Sequence, residues 1–364
     1  MRILFVDLDR EWRGGQSQAL LTVTGLRACG HDAQLMAVRD SPLARRAEAA
    51  GVPVHAIGTM ARRVVAALLL HRVLSQQRYD LLHANEPHAL TAAWLAGSQK
   101  KAPLVISRRV AYRLGQNFVA KRRYEIAQRI VAISRFVAKS VLDSGVPAEK
   151  VEIVYEGVEV PPPVTPEARQ RARLRWGVSE TEKLIGCVGY LLPEKGQELA
   201  VRAVSTVRAK IPGARLLLAG DGPCRTGLES LARQQGLQDA VIFAGFLEDV
   251  TQVYAALDVF VFPSLAEPLG TSLLAAMACG LPVVAVASGG VPEYVEDGVT
   301  GLLAAHPDAE LISGGILRLF GDELFRIRLG REARGEIEER FSARRMVKNT
   351  IRVYEDVLKK RQIA

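Results

Sequence analysis

The chain has 364 residues, 49% hydrophobic and 24% charged, which is the composition of an ordinary soluble globular protein with length for two complete cores. Its formal net charge is +9, and the excess lies in residues 1–160, where 23 Lys and Arg face 14 Asp and Glu; the remainder is neutral. The basic density peaks from Arg108 to Lys139, with nine basic residues and one acidic residue, Glu125.

An anionic surface or substrate suits that half, although a solvated basic face serving solubility would look the same. No nucleic-acid-binding module accompanies the charge, so nucleic acid is not an expected partner. The chain starts on the apolar run Ile3–Val6, so no signal peptide is expected. The longest apolar runs, Val64–Leu70 among them, fall far short of the ~20 residues that span a bilayer. Cys29, Cys187, Cys224 and Cys279 are scattered without paired or metal-ligand spacing, so reduced thiols in a cytoplasmic protein are expected and a structural zinc is not.

In chain order, short apolar runs alternate with helical stretches. Strands are expected at Arg2–Asp7, Ala33–Val38, Val54–Ile57, Leu81–Ala84, Leu104–Ser107, Ile130–Ile133 and Val151–Tyr155. A second series runs Leu184–Val188, Arg215–Ala219, Val241–Phe243, Val259–Phe262 and Pro282–Val286. These runs are Val/Ile/Leu-rich on both faces, as in buried parallel strands. Gln16–Ala28, Glu198–Ala209, Gly227–Gln235 and Thr271–Cys279 read as helices between them. The pattern is α/β, with two doubly wound parallel sheets expected to face each other across a cleft. Pro161-Pro162-Pro163 and Pro166 interrupt it. The expected division is a domain at 1–160, a linker at 161–166, a domain at 167–342, and a basic helix at 343–364 crossing back toward the first domain.

Chemistry in such folds gathers where strands lead into helices. The first such loop is Arg13-Gly14-Gly15-Gln16, where adjacent glycines permit close approach of backbone amides to a phosphate; an ordinary tight turn would also use them. The second, Gly189 to Gly196, presents Lys195 as a point charge for a diphosphate, although a surface lysine beside a helix-starting glycine is an equal reading. It lacks the Gly-Lys-Ser/Thr ending of a phosphate-binding P-loop. The third, Pro263 to Ser272, is the most specific: a strand ends, Glu267 is presented, and a helix starts near Thr271. Its free amides favour an anion, and the carboxylate suits sugar hydroxyls next to a bound diphosphate; helix capping by Glu267 is the alternative. Ala219 to Pro223, Ala287 to Glu293 and Asp297 to Gly301 read as tight turns.

Taken in order, these segments resemble glycosyltransferase family 4, the retaining enzymes of the GT-B fold, over essentially the whole chain. The likeness is strongest from Glu248 to Leu303, through Asp258-Val-Phe-Val-Phe-Pro-Ser, Glu267-Pro-Leu-Gly, Ala276-Met-Ala-Cys-Gly-Leu-Pro-Val-Val and Ser288-Gly-Gly-Val-Pro-Glu. The resemblance implies a UDP- or GDP-sugar as donor substrate, no separate cofactor, no metal, and a carbohydrate or lipid-linked acceptor in cell-envelope glycolipid or polysaccharide synthesis. It places Gly14, Gly15 and Lys195 at the diphosphate and Glu267 at the transferred sugar. The backbone of Leu269, Gly270, Thr271 and Ser272 would receive phosphate and sugar oxygens, and Gly245, Phe246 and Leu247 the base. His83, Asn85 and Glu86 fall on the reacting and acceptor side, with Arg108 and Arg109, although a merely structural His83 is an equal reading. Three positions depart from the family pattern: Ala275 stands where a second Glu holds the ribose, Tyr190 where a basic residue is common, and Asn85 where a His is common.

The implied reaction exchanges diphosphate for an acceptor hydroxyl on one face of the sugar. Lys195, the Gly15 amide and the helix start near Thr271 would stabilise charge on the departing phosphate, which can itself take the acceptor proton. A non-catalytic nucleotide-sugar-binding protein is the alternative from another class, and a sugar-nucleotide epimerase a further one. The basic half, with Val64–Leu70 and Phe118–Val119 as apolar anchors, suggests peripheral contact with an anionic membrane on its cytoplasmic face.

Overall fold

The computed structural model describes residues 1–59, 62–115 and 118–363, with side chains described except at 62, 118–121 and 361–363. It divides into two compact units, Met1–Gly157 with Ala343–Ala364, and Val158–Ser342.

The first unit runs β1 (Arg2–Asp7), α1 (Gly14–Ala28), β2 (Asp32–Val38), α2 (Pro42–Ala49), β3 (Val54–Ile57), α3 (Arg62–Gln76), β4 (Leu81–Ala84) and α4 (Pro87–Leu95). It continues through β5 (Leu104–Arg108), α5 (Phe118–Glu125), β6 (Arg129–Ala132), α6 (Arg135–Leu142) and β7 (Val151–Ile153). The second unit holds α7 (Pro166–Arg175), β8 (Lys183–Val188), α8 (Gln197–Lys210), β9 (Ala214–Ala219), α9 (Arg225–Gln234), β10 (Val241–Gly245) and α10 (Thr251–Ala256). Then come β11 (Val259–Phe262), α11 (Thr271–Ala278), β12 (Val283–Val286), β13 (Leu302–Ala304), α12 (Ala309–Gly321) and α13 (Glu323–Glu336), and the chain returns to the first unit as α14 (Ala343–Ile363).

Each unit is a Rossmann-like α/β layer structure around one parallel sheet. The first sheet has seven strands in the order β3-β2-β1-β4-β5-β6-β7, and the second has six in the order β10-β9-β8-β11-β12-β13. The strands between two helical layers are apolar on both sides for that reason: β1, β4, β6, β11 and β12 are buried almost throughout. In each sheet the winding reverses once, between β1 and β4 and between β8 and β11. Helices leave opposite faces of the sheet at such a point, so a crevice opens beyond the carboxyl ends of the two strands.

Several boundaries differ from those read in the sequence. The division follows Gly157, and Pro166 opens a helix in which Thr165 accepts a hydrogen bond from the Ala168 amide at 3.2 Å. The three-residue strand β13 was absent from the sequence reading, because it is too short to show a pattern. The apolar run Val64–Leu70 lies in α3, with Ala66, Ala67 and Leu70 buried and Val64, Val65 and Leu68 exposed. The side chains of Phe118 and Val119 lie outside the described residues. Among the described residues, no helix is long and apolar enough to cross a membrane.

Helix α14 belongs to the first core through Met346, Val347, Val353, Tyr354 and Val357, which join Ile3, Phe5 and Val23. It packs on α1 at Gly25, where a Cβ would lie 2.4 Å from Val347 Cγ2. Valine is stiff at χ1 and gives little, so the glycine is required by helix approach. Gly25→Ala should therefore destabilise the protein by about 1–3 kcal/mol, as overpacking does, and adding Val347→Ala should recover much of the loss. Thermal unfolding of both variants checks this; an unchanged Gly25→Ala midpoint contradicts the packing.

Candidate active site

In the second unit, the segments after β8 and β11 meet beyond the sheet's reversal point. The β8 segment ends in a 3-10 turn, Pro193–Lys195, followed by Gly196 at φ +65°. A Cβ on Gly196 would sit 2.1 Å from the Pro263 carbonyl oxygen, so only glycine lets the turn press on the end of β11. The Leu265 amide and the Ser264 hydroxyl both donate to the Glu194 carbonyl, at 2.8 and 3.3 Å. These contacts bring Lys195 Nζ to 2.7 Å from Glu267 Oε2.

Glu267 is 6% exposed. Its Oε2 also accepts from Ser264 Oγ at 3.0 Å, and its carbonyl from the Gly290 amide at 2.9 Å. It does not cap α11: the N-cap is Gly270, at φ +100°, and no side chain caps the helix. The first turn, Thr271 and Ser272, is half-buried and holds no acidic residue. An uncapped N-terminus keeps its amide donors and partial positive charge for an anion. The loop is held from below, with Tyr294 donating to the Leu269 carbonyl at 2.5 Å and Tyr254 to the Ser272 carbonyl at 3.0 Å. Burial, with Glu267 and Glu293 adding to it, raises the Tyr294 phenol well above its ordinary range and keeps it a donor. Gly245 ends β10 at φ +71°, its carbonyl accepting from the Gly220 amide at 2.8 Å; Phe246 beyond it is exposed and Leu247 half-buried.

In the first unit the corresponding ends of β1 and β4 carry a polar network. Asp7 is fully buried and accepts from Asn85 Nδ2 at 2.6 Å, Gln16 Nε2 at 3.2 Å and the Asp9 amide at 2.9 Å. Asn85 Nδ2 also donates to the Gly15 carbonyl at 3.3 Å, and the Asn85 carbonyl accepts from Arg109 at 2.7 Å. Arg109 pairs with Glu156 at 2.5 Å. Glu86 is the N-cap of α4, accepting from the Ala89, His88 and Leu8 amides. Burial, reinforced by Asp7, pushes its carboxyl up to about 7 despite those three bonds.

Comparison with known proteins follows the division of the chain. The model of "Glycosyltransferase Family 4" matches residues 12–160, and that of "Glycosyl transferases group 1" matches residues 168–336. The chain belongs to glycosyltransferase family 4.

An uncharacterised glycosyltransferase of Methanocaldococcus jannaschii is 32% identical over 64% of this chain and 60% of that protein. A GDP-mannose-dependent monoacylated alpha-(1-6)-phosphatidylinositol monomannoside mannosyltransferase of Corynebacterium glutamicum is 35% identical over 50% of this chain and 49% of that protein. The matches therefore span about half to three-fifths of these relatives. Anabaena HepE, solved in complex with UDP-glucose, superposes with a TM-score of 0.86 over 98% of this chain and 100% of that one. At 23% identity that likeness concerns the fold, the two Rossmann-like domains of the GT-B class.

In this member of glycosyltransferase family 4, the residues singled out in the sequence divide into those that gather and those that do not. Lys195, Glu267, Leu269, Gly270, Thr271 and Ser272 form one loop cluster, and Gly14, Gly15, Asn85, Glu86 and Arg109 gather at the end of the first sheet. Gly14 and Gly15 are the first turn of α1 rather than a turn ahead of it, and Arg13 is the N-cap. His83 fits its structural reading: it is 3% exposed, with Nδ1 at 2.6 Å from Tyr354 Oη and Nε2 at 2.7 Å from Ser107 Oγ. Burial, with Arg109 adding, lowers its pKa to about 3, so it stays neutral and braced as part of the core. Arg108 turns inward. It is buried, bonds Tyr124 Oη at 3.2 Å and stacks over Tyr112, away from Arg109's partners. Asp7, Gln16, Glu156, Ser264 and Tyr294 were missed; only Asp7, a carboxylate ending a strand at the reversal point, left a signal in the sequence. Among the described residues, no group of three His, Cys, Asp or Glu is assembled to hold a metal.

The Glu86 environment has a pH consequence. Its folded pKa, about 7, lies above the ordinary 4.5. The folded state therefore holds a proton that the unfolded chain gives up, and this contribution to stability is lost as pH rises from 4.5 to 7. Glutamine does not titrate. The melting temperature of Glu86→Gln relative to the parent should move in the variant's favour between pH 5 and 8; a constant difference would show that Glu86 is ionised throughout.

Proposed function

We propose that the protein is a retaining glycosyltransferase that moves a sugar from a UDP- or GDP-sugar to a carbohydrate or lipid-linked hydroxyl. The observation that carries this reading is the Lys195–Glu267 pair, 2.7 Å apart, beside the uncapped N-terminus of α11. A cation, a buried carboxylate and open helix amides together suit a sugar joined to a diphosphate: the anion is met by Lys195 and the helix start, and the hydroxyls by Glu267. The GDP-mannose dependence of the Corynebacterium relative and the UDP-glucose in the Anabaena structure support the donor class.

Lys195 turns from Glu267 to the diphosphate when donor arrives; in the first unit, the Gly15 amide at the start of α1 is open to an anion. The bond from the anomeric carbon to the phosphate oxygen breaks while the acceptor oxygen bonds the same carbon from the same face, and the departing phosphate takes the acceptor proton. Charge grows on that phosphate as the sugar becomes cationic, so fixed donors and the Glu267 carboxylate stabilise the transition state more than the bound donor. Phe246, Leu247 and Gly245 lie where the base is held. No catalytic role is proposed for His83.

A non-catalytic nucleotide-sugar-binding protein is the second reading. It is favoured by the sequestered His83 and by Ala275, one turn beyond Thr271 on the half-buried face of α11.

Two substitutions separate binding from catalysis. Lys195→Ala removes the diphosphate contact and should weaken nucleoside diphosphate binding at least tenfold while slowing transfer. Glu267→Gln keeps the Gly290 contact to its backbone and removes the charge that pairs with Lys195 in the free protein and, in this reading, meets the sugar once donor is bound. Nucleoside diphosphate affinity should stay within a few-fold while turnover falls 100-fold or more. Calorimetry with the diphosphate and turnover with the sugar nucleotide read the two effects. Full activity of Glu267→Gln would sink the mechanism, and a parent that binds donors without turning any over would establish the non-catalytic reading.

A further inference from the structure

Asp7 is a carboxylate with no side chain exposed, held by neutral donors from Asn85 and Gln16 and by the Asp9 amide. A buried acceptor of this kind costs stability, and burial indeed raises its pKa. An apolar residue at the end of β1 would serve the core better. What the carboxylate does instead is visible in its partners. Gln16 is the third residue of α1, the position from which a Glu or Gln side chain ordinarily reaches back to the N-cap amide. Here it turns inward to Asp7. Asn85 completes the hold by bonding Asp7 and the Gly15 carbonyl with one amide group. Arg13, the N-cap, offers no side-chain cap.

The first turn of α1 is thus anchored through a carbonyl and an inward side chain, and none of these bonds occupies the amides of Gly14 and Gly15. Arg109 closes the other side, its guanidinium on the Asn85 carbonyl and its Cδ 3.6 Å from where a Gly15 Cβ would stand. Asn85 Oδ1 is buried without a partner in the structure, which fits an acceptor kept for a ligand hydroxyl beside the turn.

We propose that Asp7 is a positioning residue for the transfer reaction: through Asn85 and Gln16 it fixes the Gly14–Gly15 turn with its amides open toward phosphate, without itself touching the substrate. The proposal rests on the glycosyltransferase reading for the reaction, and on the network alone for the positioning. Asp7→Asn keeps the shape but offers one acceptor oxygen where Asn85, Gln16 and the Asp9 amide need two. The exchanged pair Asp7→Asn with Asn85→Asp restores a hydrogen bond between the two positions. It also sets a carboxylate oxygen against the Gly15 carbonyl, so the tie to the turn stays broken.

The expected results are as follows. Asp7→Asn lowers the melting temperature, lowers kcat at least tenfold, and speeds hydrogen exchange at Ser17 and Gln18, the start of the helical ladder, at least tenfold relative to mid-helix amides. The exchanged pair recovers the melting temperature but neither kcat nor slow exchange. Gln16→Met, a milder change, moves kcat and exchange in the same direction. Recovery of kcat together with stability in the exchanged pair would overturn the proposal, because Asp7 would then be only structural; so would unchanged exchange in Asp7→Asn and Gln16→Met. If the parent turns over no donor, the glycosyltransferase reading fails on that result, and the exchange measurements still decide whether Asp7 holds the turn.

Discussion

The second unit is organised by backbone turns that touch where no side chain fits. A Cβ on Gly196 would lie 2.1 Å from the Pro263 oxygen, one on Gly289 1.9 Å from the Glu267 oxygen, and one on Gly220 2.0 Å from the Gly189 oxygen. All three glycines have positive φ. The loops after β8, β9, β11 and β12 are therefore packed backbone to backbone, and any larger residue would push them apart. This stacking sets the position of Glu267 from both sides and delivers Lys195 to it. A carboxylate 6% exposed is held in place before any ligand arrives, which is the preorganisation that electrostatic catalysis needs.

The two sheets solve a similar problem with different chemistry. At the reversal point of the second, glycine contacts and tyrosine hydroxyls support a short loop from below, leaving the amides at the start of α11 uncapped. At the reversal point of the first, a hydrogen-bonded cluster of Asp7, Gln16, Asn85, Arg109 and Glu156 supports the start of α1, again uncapped. In both, the helix N-terminus is braced through carbonyls and side chains while its donors stay open, as anion binding requires. The cost is buried polarity, including the raised carboxyls of Asp7 and Glu86.

Much of the fold is legible in the sequence because buried parallel strands write themselves as short Val/Ile/Leu runs, and because Gly and Pro mark the loops between them. Strand β1 and strands β3, β4 and β11 have the limits that the runs suggest. The Glu267 loop is legible for the same reason: a strand, a short loop and a helix start lie within a dozen residues. The packing of His83 and Arg108 is less legible. Tyr354, which holds His83, comes 271 residues later, and Arg108 and Arg109, adjacent on the chain, turn to opposite partners as neighbours at a strand end do. Asp7 closes β1, and one acidic residue at a strand end gives only a weak sign of its role until its burial is known.

The proposal that the Lys195–Glu267 site transfers a sugar with its configuration kept has a direct test. Proton NMR of the protein with UDP- and GDP-α-sugars and water as acceptor tests it most directly, followed faster than the free sugar mutarotates. The expected result is slow release of nucleoside diphosphate with the α-anomer appearing first, and loss of both in Glu267→Gln. A β-anomer as first product, or release that continues unchanged in Glu267→Gln, would contradict it.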